Sequence, residues 1–174
     1  PKQFTGEKLS KNIIKKILEN GNMAPSHKLT QPWIFKIFQG KSKIKLANEM
    51  IKSYNEFSHN NKVLISKADK ILKNCTQSDC IIVICMKRDK KKSIPEWEEL
   101  ASTSMAVQNM WLSCVSYKIG CYWSTPKYSI KMSKFLGLKK NEKCLGFFYM
   151  GKFDHKSQKK TKRDSIIEKI EWFN

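Results

Sequence analysis

Arginine is almost missing from a chain that is otherwise strongly basic. The 174 residues include 34 Lys and Arg against 15 Asp and Glu, a formal net charge of +19, yet the only arginines are Arg88 and Arg163. Specific contacts to nucleic-acid bases and phosphates favour the planar guanidinium fork, and the lysines are spread along the chain. The charge therefore indicates a lysine-rich, solvated surface and no nucleic-acid partner. A basic nucleic-acid-binding protein without a cofactor stays as the alternative function.

Four other patterns are also missing. No apolar run approaches the roughly 20 residues of a membrane-spanning helix, and no charged-then-apolar leader opens the chain. We therefore expect no membrane contact, no signal peptide and a cytoplasmic protein.

The six cysteines form no Cys-x-x-Cys pair and no Cys/His cluster with zinc spacing, so neither a metal site nor a disulfide framework is expected. The phosphate loops G-x-G-x-x-G and G-x-x-x-x-G-K-[ST] are absent, so any nucleotide must bind by other means.

Apolar periodicity predicts helices alternating with strands. The expected helices are 5–22, 41–57, 62–74, 93–120, 129–138 and 164–173, and the expected strands are 33–40, 80–87, 120–125 and 144–153. The run CIIVICMK at 80–87 is nearly all apolar, which is typical of a strand buried on both faces. This order, without a repeat or a linker, indicates one domain over residues 1–174, with helices layered on a sheet.

Capping residues and glycines predict where the helices begin and end. The expected N-terminal caps are Thr5, Ser93 in a capping box with Glu96, and Asp164. The expected glycine stops are Gly21, Gly120 and Gly137.

The long helix at 93–120 carries a large apolar surface. Packing in the core is the favoured interpretation of that surface, and a subunit interface, where aromatic residues and Met are enriched, is the alternative. The apolar residues are Trp97, Leu100, Met105, Met110, Trp111, Leu112 and Val115. Glu98 and Glu99 are adjacent, so they do not face each other on a helix; we interpret both as surface charges.

The segment NMAPSHKLTQPWIF at 22–35 is too long and too rich in large side chains for a plain connecting loop. Pro25 restricts the loop, Ser26 and His27 supply short-range donors, and Met23 and Leu29 can line an apolar slot. Trp33 begins the next strand and is expected to anchor the loop to the core.

This loop resembles that of the nitroreductase-like FMN-dependent oxidoreductases, which reads A-P-S-x-x-x-x-Q-P-W before a strand. PEWEELASTSMAVQNMWL is similar to the central helix of that family, and YKIGCYWSTP to the strand that follows it. LGFFYMGKF is similar to the closing core strand, and KRDSIIEKIEWF to the C-terminal segment. The matches follow the family order from about Thr5 to Trp172, and the closest likeness is to its small single-domain reductases.

The resemblance implies an α+β three-layer sandwich, with a central, mostly antiparallel sheet flanked by helices. It also implies a homodimer with two FMN sites that draw on both subunits. The implied reaction is ping-pong: NAD(P)H reduces FMN by hydride transfer, and the reduced flavin then reduces a small acceptor such as a nitroaromatic or a quinone. A specialised member, such as a dehalogenase or an enone reductase, is the alternative within the family.

Site residues also follow from the resemblance. No side chain need act as a catalytic acid or base, and no metal is implied. The implied FMN contacts are Met23, Pro25, Ser26, His27 and Leu29 in the loop, Trp123, Ser124 and Thr125 after the third strand, and the basic pair Lys162 and Arg163. Some relatives have Arg at the Met23 position, and many have Asn at the Leu29 position. The phosphate-binding R-R-S-x-R segment of the family would lie just upstream of Pro1, and we expect that such a segment precedes Pro1 in the full-length protein.

Overall fold

Alternating helices and strands follow the predicted order in the computed structural model, which describes residues 4–58, 65–154 and 161–173. The α-helices are α1 (Lys11–Asn22), α2 (Ser42–Ser58), α3 (Ile65–Gln77) and α4 (Glu96–Ser116), and the strands are β1 (Trp33–Gln39), β2 (Cys80–Lys87), β3 (Gly120–Ser124) and β4 (Glu142–Gly151). Short 3-10 turns cover His27–Leu29, Lys127–Met132 and Ile166–Lys169. None of the described helices combines the length and apolarity needed to cross a bilayer.

The strands form one antiparallel sheet in the order β1-β2-β4-β3. Every residue of β2 except Lys87 is buried, as the apolar run predicts. Because side chains alternate along a strand, Ile82 and Ile84 face α1 and α4, while Ile81 and Val83 face α2 and α3. The sheet is therefore the middle layer of a sandwich with a core on each side, which confirms the predicted α+β architecture.

The first helix begins later than predicted. Ser10 caps α1 by accepting a hydrogen bond from the backbone N–H of Ile13 at 3.2 Å. Thr5 is not the cap, because its N–H donates to the Lys152 carbonyl oxygen at 2.8 Å and holds the entering chain beside the end of β4. The prediction of a helix from residue 5 is wrong because the chain first pairs with a distant segment.

Gly21 lies inside the last turn of α1 and does not end it. A Cβ at this position would lie 2.7 Å from Cγ of Met110, closer than packed side chains allow. The glycine therefore serves close packing of α1 on α4, a contact that its place near a helix end did not reveal.

The start of α4 also differs from the prediction. Pro95 occupies the N-cap position, while the Ser93 hydroxyl donates to Asp89 Oδ2 at 2.7 Å. The Glu96 carboxylate binds the Lys143 ammonium of β4, so the capping box does not form. At the other end α4 stops at Ser116, and Gly120 is the first residue of β3 rather than a helix stop.

Two predicted short helices prove to be 3-10 turns. Residues 127–132 form one, and the segment closes at Gly137 with φ +59°, a left-handed conformation that suits glycine. In the C-terminal segment Ser165, rather than Asp164, caps the turn by accepting from the Ile167 N–H at 3.3 Å.

All six cysteines are free and buried. Burial raises the pKa of Cys75 to about 11 and that of Cys80 to about 12, so both remain neutral thiols near pH 7. They act as small apolar core residues.

A buried ion pair joins the end of β2 to the start of α4. The Glu99 side chain has 0% of its surface exposed and pairs with the Arg88 guanidinium. Arg88 Nη2 also donates to the Ile94 carbonyl oxygen at 3.2 Å, and the Asp89 N–H donates to Glu99 Oε1 at 2.7 Å. The prediction that Glu99 is a surface charge is therefore wrong, because a distant arginine compensates it.

Replacing Arg88 with alanine tests how much this ion pair contributes to the stability of the fold. Removing one partner leaves a buried charge without compensation, so we expect Arg88→Ala to lower the unfolding free energy by about 3–5 kcal/mol in urea denaturation. The matched control is Lys15→Ala, which breaks an exposed pair with Glu19 and should lower it by less than about 1 kcal/mol. Equal losses in the two variants would contradict the structural role of the buried pair.

Candidate functional site

The loop between α1 and β1 is anchored at its ends. Trp33 is buried, and its indole Nε1 donates to Asn22 Oδ1 at 2.9 Å. The ring packs with Ala24 and with Ala106 of α4. As the sequence predicts, Trp33 therefore fixes the loop on the core.

The middle of this loop has an unusual backbone. Lys28 (φ +51°), Leu29 (φ +52°) and Gln31 (φ +40°) are all left-handed, and none is glycine. The Ser26 hydroxyl oxygen accepts the Gln31 N–H at 3.2 Å across the loop. Left-handed backbone is disfavoured for residues that carry a Cβ, and a run of such residues can mark a functional site.

The loop presents apolar side chains to solvent. Met23 is 78% exposed and Leu29 is 80% exposed, while Pro25 is also exposed and Ser26 is half-buried. Single exposed apolar residues are ordinary. Two in one loop that is anchored on the core form a surface that another molecule can cover.

Two polar contacts join the loop to the start of α4. His27 Nδ1 lies 2.5 Å from Glu98 Oε2, and Lys28 Nζ donates to the Ser93 carbonyl oxygen at 3.0 Å. The prediction that Glu98 is merely a surface charge is also wrong, since only 22% of its side chain is exposed and it contacts His27.

The second group of predicted site residues lies where β3 ends. Trp123 and Ser124 are half-buried and Thr125 is exposed. They lie over Gly146 of β4, where the pairing with β2 is irregular. Gly146 has φ +129°, and a Cβ there would overlap the Ser124 carbonyl oxygen and lie 3.0 Å from Trp123 Nε1. This glycine therefore lets the Trp123–Ser124 turn sit directly on the sheet.

A cavity of about 810 Å³ runs along the free side of β3. Its lining is aromatic on the sheet side and basic where α3 faces it: Trp111, Tyr122, Trp123, Tyr128, Tyr149, Lys67, Lys70 and Lys73. Burial raises the pKa of Tyr122, Tyr128 and Tyr149, so these phenols are neutral. The Trp123 Nε1 atom is buried and has no acceptor among the described residues. The cavity thus combines flat apolar walls with positive charge.

The third group of predicted site residues is the basic pair Lys162 and Arg163. Both are exposed, and the hydrogen bond found for them within the described residues joins Arg163 Nη1 to the Lys162 carbonyl oxygen at 3.4 Å. Their predicted role at a phosphate stays a prediction.

Within one chain, the loop between α1 and β1 and the Trp123–Thr125 turn do not come together. The loop leads into β1 and the Trp123–Thr125 turn ends β3, and these strands are opposite edges of the sheet. Three strand spacings separate them, about 14 Å.

Sequence reasoning missed Glu98 and Gly146. An isolated glycine inside an apolar strand often marks a bulge or a close approach, so the pattern CLGFFYMG could have indicated Gly146. Nothing in the sequence pairs Glu98 with a residue that lies 71 positions away.

The model of the family described as the nitroreductase family matches residues 1–152. The chain belongs to the nitroreductase family. This confirms the resemblance drawn from the motifs, and the family membership makes the protein an oxidoreductase of the nitroreductase type.

Individual relatives agree in fold. "Putative NAD(P)H nitroreductase YdjA" of Escherichia coli K12 is 26% identical over 149 residues, which cover 84% of this chain and 76% of the relative. A nitroreductase-like family protein from Bacillus cereus superposes with a TM-score of 0.87 at 23% identity, over 99% of this chain and 90% of its own. The FMN-dependent nitroreductase NfnB from Mycobacterium smegmatis, solved with NADPH, has a TM-score of 0.79 at 14% identity, over 99% of this chain and 93% of its own.

Replacing Gly146 with alanine tests the close approach under Trp123. We expect Gly146→Ala to lower the unfolding free energy by about 3 kcal/mol, because the added methyl overpacks β3 and the backbone is strained. Gly40→Ala is the control: Gly40 also has positive φ (+59°) but open space around the site of a Cβ, so the loss should be about 1–2 kcal/mol. If urea denaturation gives the same loss for both, the packing of the turn on Gly146 is not as described.

Proposed function

We propose that this protein is an FMN-dependent oxidoreductase that uses NAD(P)H to reduce small organic acceptors such as nitroaromatics or quinones. The observation that carries the proposal is the cavity beside β3, with its aromatic walls and the lysines of α3. Membership of the nitroreductase family supports it.

The residues present fit a flavin. Cofactor cavities usually measure about 300–1,000 Å³ and combine mostly apolar walls with a few polar groups, and a cavity of about 810 Å³ falls in that range. A planar ring can lie against Tyr122, the tyrosine of this lining that is only half-buried. Lysine ammonium groups at the α3 side add positive potential for a phosphate-bearing ligand.

When bound, FMN would supply the redox chemistry by accepting a hydride from NAD(P)H and passing reducing equivalents to a second small molecule. The chain would hold the ring with Trp123 and with backbone N–H groups at Ser124 and Thr125, since fixed donors stabilise negative charge on a reduced ring. The loop residues Met23, Pro25, Ser26, His27 and Leu29 would cover it and exclude water. Lys162 and Arg163 would contribute charge-assisted bonds to the phosphate. Positioning does most of the work, so no side-chain acid or base is needed.

The active form in this proposal is a homodimer whose subunit interface is formed by α4. Trp97 (68%), Leu112 (57%) and Val115 (65%) on this helix are strongly exposed, and large exposed apolar surfaces mark protein interfaces. Of the two interpretations of the apolar helix, the subunit interface is therefore favoured for these residues, while Met110 is core. The C-terminal segment presents further exposed apolar side chains: Ile166, Ile167, Trp172 and Phe173.

A symmetric dimer would also complete the site. In a two-fold interface the same surface of each copy is used twice, so the loop of one copy can meet the β3 turn of the other, and vice versa. That arrangement removes the separation of about 14 Å between the edge strands of a single sheet. Each dimer would then hold two equivalent flavin sites.

Visible absorbance of the purified protein tests the proposed activity. We expect flavin bands after incubation with FMN, and loss of those bands when NADH or NADPH is added without oxygen. Addition of a nitroaromatic or a quinone should then restore the bands. A protein that stays colourless with excess FMN, or one whose bound flavin neither nicotinamide reduces, would overturn the proposal.

A charge on the exposed face of α4 tests the dimer. Leu112→Asp should weaken dimerisation at least tenfold, because a carboxylate would be buried at the interface. Sedimentation equilibrium measures the dissociation constant. Leu72→Asp, on α3 and 39% exposed, is the control and should leave the constant unchanged. A dimer that tolerates Leu112→Asp would show that α4 does not form its interface.

A further inference from the structure

The loop between α1 and β1 holds its left-handed backbone against an intrinsic preference for other conformations. Lys28, Leu29 and Gln31 all have positive φ, and such residues persist only where the surroundings hold them. The bonds inside the loop are a Leu29 N–H to the Ser26 carbonyl oxygen at 3.1 Å, a Thr30 N–H to the His27 carbonyl oxygen at 3.3 Å and a Gln31 N–H to Ser26 Oγ at 3.2 Å. These bonds close the turn but do not attach it to the rest of the protein.

Trp33 anchors one end of the loop, and the start of α4 attaches its middle. Glu98 Oε2 contacts His27 Nδ1 at 2.5 Å, and the Ser93 carbonyl oxygen accepts from Lys28 Nζ at 3.0 Å. The Lys28 side chain is long and flexible, so its contact fixes little. The imidazole and the carboxylate are short and the carboxylate is half-buried, so this contact restrains both the ring and the backbone of the turn.

The chemistry of the contact also fixes which nitrogen of the His27 ring carries the proton. An ionised carboxylate only accepts hydrogen bonds, so the His27 ring must carry its proton on Nδ1. The other nitrogen, Nε2, then points away from Glu98. In a neutral imidazole, the hydrogen bond that one ring nitrogen makes therefore decides which of the two nitrogens carries the proton.

We propose that Glu98 is a positioning residue that acts through His27, holding the loop in the conformation that contacts the flavin and orienting Nε2 toward that site. The inference rests on the proposed function. It assigns a role to a residue that the sequence analysis interprets as a surface charge and that does not line the cavity.

The first turn of α4 supplies its own control. Glu96 is also a carboxylate near the helix N-terminus, with the same favourable relation to the helix dipole. Its partner, however, is Lys143 of β4 and not the loop. Glu98→Ala and Glu96→Ala therefore remove the same charge from the same turn, and only the first removes the contact with His27.

Nitrogen-15 NMR of the imidazoles in the flavin-free protein is the first readout. The chain has three histidines, and His27→Gln assigns the signal of interest. In the neutral form of the ring, the wild-type His27 should carry its proton on Nδ1. Glu98→Ala should remove that preference and Glu96→Ala should retain it. An Nε2-protonated His27 in the wild type, or one unchanged by Glu98→Ala, would overturn the proposal.

Hydrogen exchange and FMN affinity are the second and third readouts. In Glu98→Ala the amides of Leu29, Thr30 and Gln31 should exchange about tenfold faster, and the FMN dissociation constant should rise about tenfold. Glu98→Gln keeps an acceptor and should recover most of the affinity, which a purely structural role of the charge would not allow. Glu96→Ala should change neither quantity by more than twofold.

The outcomes separate this inference from the proposed function. Unchanged FMN affinity in Glu98→Ala overturns the positioning role and leaves the oxidoreductase intact. Equal effects of Glu98→Ala and Glu96→Ala also overturn it, because the loss then stems from the helix. A wild-type protein that binds no FMN overturns both proposals, whatever the NMR shows.

Discussion

A cluster of carboxylates at the start of α4 fixes the position of the elements around the candidate site. Each carboxylate meets a cationic or imidazole partner from a different part of the chain. The pairs are Glu96 with Lys143 of β4, Glu98 with His27 of the loop, and Glu99 with Arg88 at the end of β2. The Glu99 pair is the one that the others depend on, because a fully buried charge has a large desolvation penalty and tolerates only the geometry that compensates it. It sets where α4 begins relative to the sheet, and hence where Glu98 meets the loop.

Much of the fold could be predicted because the patterns that indicate its helices and strands lie within each segment of the sequence. The burial of β2 on both faces follows from its composition, and the strand and helix order follows from periodicity. The errors lie where a distant partner competes with a local rule. Thr5 pairs with the end of β4 instead of capping α1, and Ser93 bonds Asp89 instead of completing a capping box with Glu96.

The candidate site was only partly predictable for the same reason. The loop and the β3 turn are contiguous motifs, so their residues could be named from the sequence. Glu98 and Glu99 are also adjacent in sequence, yet their partners lie 71 and 11 positions away, and no spacing rule identifies such pairs. The separation of the two motif groups by the sheet is likewise a property of the strand order and cannot be seen in either motif.

Subunit complementation tests the central claim, a flavin site shared between two copies, most directly. One variant would carry His27→Ala with Leu29→Glu in the loop, and the other would carry Trp123→Ala at the β3 turn. Each alone should have little NADH-dependent reductase activity. When the two are co-expressed, half of the randomly paired dimers are mixed and each mixed dimer has one intact site of two, so about a quarter of wild-type activity should return. Activity in the mixture no greater than the average of the separate variants would contradict a shared site.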